Sequence, residues 1–130
     1  MATTGDKILD QSLDLLRYHY HPEWDDRSPL DVFNRLLAKN IAAPGWKKTD
    51  HTGITPLQIR SHREKRSTGE LARFHRPHGL DDPHREDCPI IIAIYEGKER
   101  LLDGHTRINY WFKQGNIGDH DVNVHVIESD

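Results

Sequence analysis

The seven residues Leu101-Leu102-Asp103-Gly104-His105-Thr106-Arg107 constrain the fold of this 130-residue chain more than any other stretch. A short apolar run stops at Asp103-Gly104, and a helical pattern starts at once. Ile108, Trp111 and Phe112 fall at i, i+3 and i+4, on one helical face. Gly115 follows where a C-cap residue would stand. Strand, tight turn and helix N-terminus are therefore expected in that order. A helix N-terminus offers unpaired N–H groups and the positive end of its dipole, which suits an anion, most often phosphate. Gly104 would let the backbone approach a ligand, and Arg107, one turn in, would fork onto phosphate oxygens. Asp103 is out of keeping with a pure anion site, because a carboxylate repels phosphate. It fits a metal ligand, a base or a helix cap.

Composition sets the outer limits. The length suits one domain with a modest core. Lys and Arg number 18 against 21 Asp and Glu, a net charge of −3. That balance argues against a surface built wholly for nucleic acid but leaves room for a local basic patch. The single cysteine, Cys88, excludes an intramolecular disulfide framework and suits a reducing compartment. No apolar run has membrane-spanning length and no signal-peptide pattern opens the chain, so a soluble, cytoplasmic protein is expected. Ten histidines make its net charge sensitive to mild acid.

Along the chain, residues 7–20 carry a broad apolar stripe (Ile8, Leu9, Leu13, Leu15, Leu16) and predict a helix. Ser28-Pro29 predicts the N-cap and first position of a second helix, with Leu30, Phe33, Leu36 and Leu37 inward. Trp24 and Trp46 read as packing residues in the flanking loops. The polar connection 43–53 marks a boundary between a helical extension, 1–50, and a core, 51–130. Ile54 to Arg60 alternates loosely and predicts a short strand, placed at an edge or a strand start by Pro56. Ser67 or Thr68 caps a short helix through Phe74, and residues 73–88 form a long histidine-rich surface loop. Pro89 to Tyr95 is the clearest strand, apolar throughout and thus central. A turn at 96–99 returns Arg100 to Leu102 as its hairpin partner. Val122, Val124 and Val126 predict a last strand with one face inward.

From Ile54 to Ile127 this arrangement resembles the ParB/sulfiredoxin-like domain. The opening ITPLQIR, the strand PIIIAIY, the hairpin into LLDGHTR, the helix ending at Gly115 and the strand VNVHVI are similar to that family's parts in their order. The resemblance implies an α/β core with a small mixed sheet, here preceded by an N-terminal helical extension. It also implies phosphate held at the Asp-Gly-x-x-Arg turn, by Gly104, His105, Thr106 and Arg107. Family members include nucleotide- and DNA-binding partition proteins, sulfiredoxins, free-serine kinases, DNA-modification nucleotide hydrolases and some nucleases. Sulfiredoxin chemistry is not expected, because His105 stands where those enzymes carry their turn cysteine. The partition proteins' helix-turn-helix is not found after the core. Tyr110 stands three positions after the arginine, where the family commonly has a small residue, so the helix is expected to sit further out or to turn its face.

The favoured expectation is nucleotide-dependent phosphotransfer or hydrolysis, using Mg2+ on Asp103, a nucleoside di- or triphosphate and a small-molecule acceptor. The kinase resemblance adds Glu64 as general base; its bland alternative is a solvated charge. His105 reads as a phosphate donor, a proton carrier or an exposed side chain. The competing expectation is a non-enzymatic, DNA-associated or nucleotide-sensing module, with a nuclease third. Arg60, Arg63, Lys65 and Arg66 form a basic run, a site for weak DNA contact or simply a solvated face. His75, His78, Asp81, Asp82, His84 and Cys88 match no defensible metal-site spacing and read better as a lid.

Overall fold

The hairpin that the sequence marks most clearly forms one half of the sheet. In the computed structural model, which describes residues 6–19, 28–42, 45, 47, 51–76, 88–113 and 120–129, Ile90–Tyr95 (β2) turns back through Glu96-Gly97 into Lys98–Asp103 (β3). Both turn residues have positive φ, 54° and 75°, the type I′ geometry whose twist matches that of the strands. Two further strands, Ile59–Ser67 (β1) and Asp121–Ser129 (β4), complete a mixed sheet of order β1-β4-β2-β3. β4 runs parallel to β2 and antiparallel to β1. The protein has an α/β fold with a small mixed sheet and N-terminal helices.

Helices cover both faces. Lys7–His19 (α1) and Pro29–Ala42 (α2) lie on one. Leu9, Leu13, Leu16, Val32, Phe33, Leu36 and Leu37 form a single core there with Ile91, Ala93, Leu102 and Ile127. The expected extension is thus one of the protein's two cores, because its apolar stripes have the sheet to bury them. The other face packs Ile90, Ile92, Leu101, Val124 and Val126 against Leu71 of Thr68–Leu71 (α3) and Ile108 of His105–Lys113 (α4). Ser28 caps α2 by accepting from the Asp31 N–H at 3.2 Å, and Ser67 caps α3 by accepting from Glu70 at 3.0 Å.

Three expectations are corrected. The first strand is not Ile54 to Arg60. Thr55 and Gln58 form a capping box around Pro56, which starts a 3-10 turn at Pro56–Gln58, and the strand begins only at Ile59. The last strand is buried on both faces from Val124 to Ile127, because helices cover both sides of the sheet: Ile127 and His125 face α1 and α2, Val124 and Val126 face α3 and α4. Phe112 does not share the inward face of Ile108. It is 47% exposed and stacks on His75 with ring centroids 3.7 Å apart. Trp24, Trp46, Gly115, most of the 43–53 connection and the loop 77–87 lie outside the described residues. Among the described residues no helix is long and apolar enough to cross a membrane.

Candidate functional site

The turn that joins β3 to α4 has the strand–turn–helix form expected of it. Gly104 is the N-cap: its carbonyl accepts from the Ile108 N–H at 3.0 Å, and the N–H groups of His105, Thr106 and Arg107 open the helix. Gly104 has φ +114°, and a Cβ there would run into Ile90 Cδ1. The glycine is therefore demanded first by the backbone conformation of the turn and then by its closeness to Ile90, whatever it also does for a ligand.

The side chains of the turn diverge. Arg107 was expected to fork onto phosphate oxygens. It is instead 2% exposed, bonded to the Cys88 carbonyl and reaching the Pro89 carbonyl at 3.5 Å. Its helical position beside buried Ile108 turns it toward the start of β2. Asp103 also looks inward. Its Oδ2 accepts from His19 Nδ1 at 2.7 Å, with side chains only 9% and 2% exposed, and stands 3.8 Å from the Arg107 guanidinium. A carboxylate only accepts, so Nδ1 carries the His19 proton. Asp103 thus ties the C-terminal end of α1 to the turn. His19 had no signal in the sequence as a partner of Asp103, 84 residues away.

His105 faces a different space. It lines a cleft of about 270 Å³ with Lys39 and Asn40 of α2, Arg76 beyond α3, and the apolar Leu36, Leu101 and Leu102. Burial, then the positive charge of Arg76, push the His105 imidazole down to about 4; Lys39 adds to this and Asp103 opposes it. His105 is neutral at pH 7 as a result. Arg76 is exposed, and its backbone N–H is fixed by Asn109 Oδ1 at 2.8 Å. Asn109 is itself 1% exposed on α4. Asn40 Nδ2 donates to the Leu101 carbonyl at 3.1 Å. Thr106 is half-buried in the first turn. The cleft therefore joins two cations and a neutral imidazole beside a helix N-terminus, a setting suited to an anion.

Glu64 is not brought to this place. In the pairing register Arg63, His125, Ile91 and Asp103 form one row, and Glu64, Val124 and Ile90 the next. Glu64 and Asp103 therefore lie on opposite faces, on opposite edge strands. Glu64 bonds His62 at 2.6 Å and Arg66 at 2.8 Å, and those hydrogen bonds, Arg66 first, hold its carboxyl below the usual range. The basic run is dispersed for the same reason. Arg60 and Arg66 share the Glu64 register, while Arg63 and Lys65 take the alternate one. Arg60 pairs with Glu128, Arg63 bonds His125 and Gln11, and Arg66, 8% exposed, forks onto Glu99 at 2.8 and 2.9 Å.

The donor set does not present an open magnesium site. Asp103 is engaged by His19, and among the described residues no three His, Cys, Asp or Glu side chains converge. His75 stacks on Phe112. His78, Asp81, Asp82 and His84 lie outside the described residues. No protein-family model, curated protein or solved structure matches this chain.

Proposed function

We propose that this chain is a phosphate-binding module of the nucleotide-ligand class, with its site in the cleft between α2 and the start of α4. The observation that carries this reading is the meeting of Lys39, Arg76 and His105 in one cleft. The strand–Asp-Gly-His-Thr-Arg–helix order supports a ParB/sulfiredoxin-like reading of the core. In this proposal Arg76 and Lys39 supply the charge that Arg107 was expected to supply, and the first turn of α4 adds N–H donors. Asp103 and Arg107 hold the turn in shape from within.

Binding is favoured over turnover because neither Asp103 nor Glu64 offers a carboxylate to the cleft. Phosphotransfer stays as the second reading on one observation: His105 lines the cleft with a neutral imidazole, whose unprotonated nitrogen offers a hydrogen-bond acceptor to a substrate hydroxyl. Non-specific DNA contact is the third, and it is weak, because the cations of β1 are split between two faces.

Titration with ADP, with and without magnesium, tests the reading. Binding raises the unfolding midpoint by mass action. Arg76→Ala should weaken binding at least about tenfold, the loss of a charge-assisted bond. Equal curves for variant and parent, or no response to ADP or inorganic phosphate, would refute the site. Phosphorus NMR of parent protein with ATP, magnesium and hydroxyl acceptors including serine separates binding from turnover. A product peak lost in His105→Asn would promote phosphotransfer.

A further inference from the structure

Arg66 and Arg107, both buried, have their guanidinium groups engaged. Arg66 forks onto Glu99 at 2.8 and 2.9 Å and bonds Glu64 at 2.8 Å. Arg107 bonds the Cys88 and Pro89 carbonyls and stands 3.8 Å from Asp103. Arg100 of β3 is half-buried and differs from both. Among the described residues its Nε is the one buried side-chain nitrogen or oxygen without a hydrogen-bond partner. Buried polar groups are nearly always bonded, so an orphan of this kind calls for a physical reason.

The pairing register places Arg100. It stands opposite Ala93 of β2, a member of the core under α1 and α2, so it lies on that face of the sheet. The small alanine leaves room for the apolar arginine stem against β2. Lys98, two residues earlier, is exposed on the same face, opposite half-buried Tyr95. Between the two cations in sequence is Glu99, but it points to the other face, where Arg66 and Arg73 engage it. The partner strand β2, IIIAIY, supplies no carboxylate. Two positive charges therefore sit side by side on an edge strand, and neither of the hairpin's strands balances them there.

From this arrangement we propose that Arg100 and Lys98 form a binding site for a carboxylate, which meets the Arg100 Nη groups end-on with the Lys98 ammonium beside it. A guanidinium keeps its proton when it is buried, so a missing partner is a standing cost on the charged form. An anion at the outer end of the side chain relieves that cost without reaching the enclosed Nε. A carboxylate is planar and matches the fork of two N–H groups. It also carries the single charge that Arg100 lacks. A phosphate brings nearly two charges and a tetrahedron of acceptors, which one fork and one lysine leave partly unpaired. Arg100 is not a wall of the cleft between α2 and α4, and the inference stands apart from the phosphate reading.

Nitrogen-15 NMR of the arginine Nε–H groups tests the proposal with three probes: glutarate, an acetylated and amidated tetraglutamate peptide, and inorganic phosphate. Glutarate or the peptide should shift the Arg100 resonance, assigned by its loss in Arg100→Met. The tighter of the two names the source, a free carboxylate or an acidic segment of a partner protein. Titrations followed on backbone resonances of β3 should weaken at least about tenfold in Arg100→Met and about threefold in Lys98→Ala. Arg100→Met keeps the stem and drops the orphan group, so its denaturant midpoint should equal or exceed the parent's. Arg66→Met, which breaks a paired arginine, should lower the midpoint. If Arg100→Met falls as far as Arg66→Met, Arg100 serves a structural partner and the proposal is overturned. Phosphate binding tighter than both carboxylate probes overturns it too, as does a spectrum that none of the three probes moves.

Discussion

The two faces of the sheet are held to their helices by different means. On the α3/α4 face the centre of the contact is apolar, Ile90, Ile92, Leu101, Val124 and Val126 meeting Leu71 and Ile108. Its polar links lie at the ends, where Arg107 of α4 bonds the Cys88 and Pro89 carbonyls and Thr68 of α3 bonds His120. Glu64, Arg66, Arg73 and Glu99 pair at its margin. On the opposite face an apolar core is crossed by three polar links along α1. Asp6, ahead of its first turn, accepts from Ser61 of β1 at 2.7 Å and from the Leu9 N–H at 3.1 Å. Burial works against ionisation of Asp6, but these hydrogen bonds outweigh it and hold its carboxyl below the usual range. Ser12 in the middle meets His125 of β4 at 2.8 Å, and His19 at the end meets Asp103 of β3 at 2.7 Å. Apolar contacts tolerate sliding, whereas directional bonds to three strands fix one register. Helix α1 is therefore tied to three strands along its whole length, whereas the strand-directed bonds of α4 come from its first turn through Arg107; the last link of α1 reaches the turn beside the cleft.

That contrast fails first at Asp103. Asp103→Ala removes the acceptor of a buried His19 N–H and an anion beside buried Arg107. The expected loss is roughly 4 kcal/mol, the cost of leaving buried donors unpaired. Denaturant unfolding measures it. Hydrogen exchange should show α1 losing protection before α4. A loss under about 1 kcal/mol, with α1 and α4 opening together, would mean that the polar links add nothing to the apolar contact.

Acid should act next, at His125 under α1 and at His105 at the start of α4. Arg63 Nε–H donates to His125 Nε2 at 3.1 Å, which leaves Nδ1–H to donate to Ser12, whose hydroxyl passes on to the Ile8 carbonyl at 2.8 Å. Protonation of Nε2 would break this chain. Burial first, and Arg63 second, push His125 below its ordinary value, as burial and Arg76 do for His105. The folded protein thus binds these protons less readily than the unfolded chain, so stability is full above about pH 6.5 and falls as the pH is lowered. For His105 the loss runs from the ordinary value down to about 4 and amounts to roughly 3 kcal/mol when complete. Unfolding at pH 7, 6 and 5 should show the decline, and His105→Asn should flatten part of it. Identical pH slopes in variant and parent would remove His105 from the account.

Local chemistry made much of the fold legible. The stripes of α1 and α2, the caps Ser28 and Ser67, and the β2–β3 hairpin were readable because each rests on residues a few positions apart. β1 was not. IRSHREKRS has no apolar alternation, and it is a strand because β4 pairs with it along its whole length. The site divides in the same way. The turn's backbone followed from its sequence, but the inward aim of Arg107 depends on carbonyls at Cys88 and Pro89. Lys39 and Arg76 carried no signal, since they are surface cations on separate elements that only the packing of α2 and α4 on the sheet brings together. Glu64 was displaced by a period of two: a strand sends it to the face away from Asp103, where a loop would have left it free.

The smallest expected effect marks the other limit of the comparison. Arg60 bonds Glu128 at 3.0 Å, but their side chains are 75% and 43% exposed. Water screens such a pair, and ordering two long side chains offsets the attraction, so Arg60→Ala should cost no more than about 0.5 kcal/mol. It sits on the same strand as Ser61 and Arg63, whose bonds to Asp6 and His125 run under α1. Equal costs for Arg60→Ala and Ser61→Ala in parallel denaturation would show that buried and exposed links on β1 are equivalent. A clear excess for Ser61→Ala, about 1 kcal/mol for a lost part-buried hydrogen bond, would locate the specificity of this sheet in the face that α1 covers.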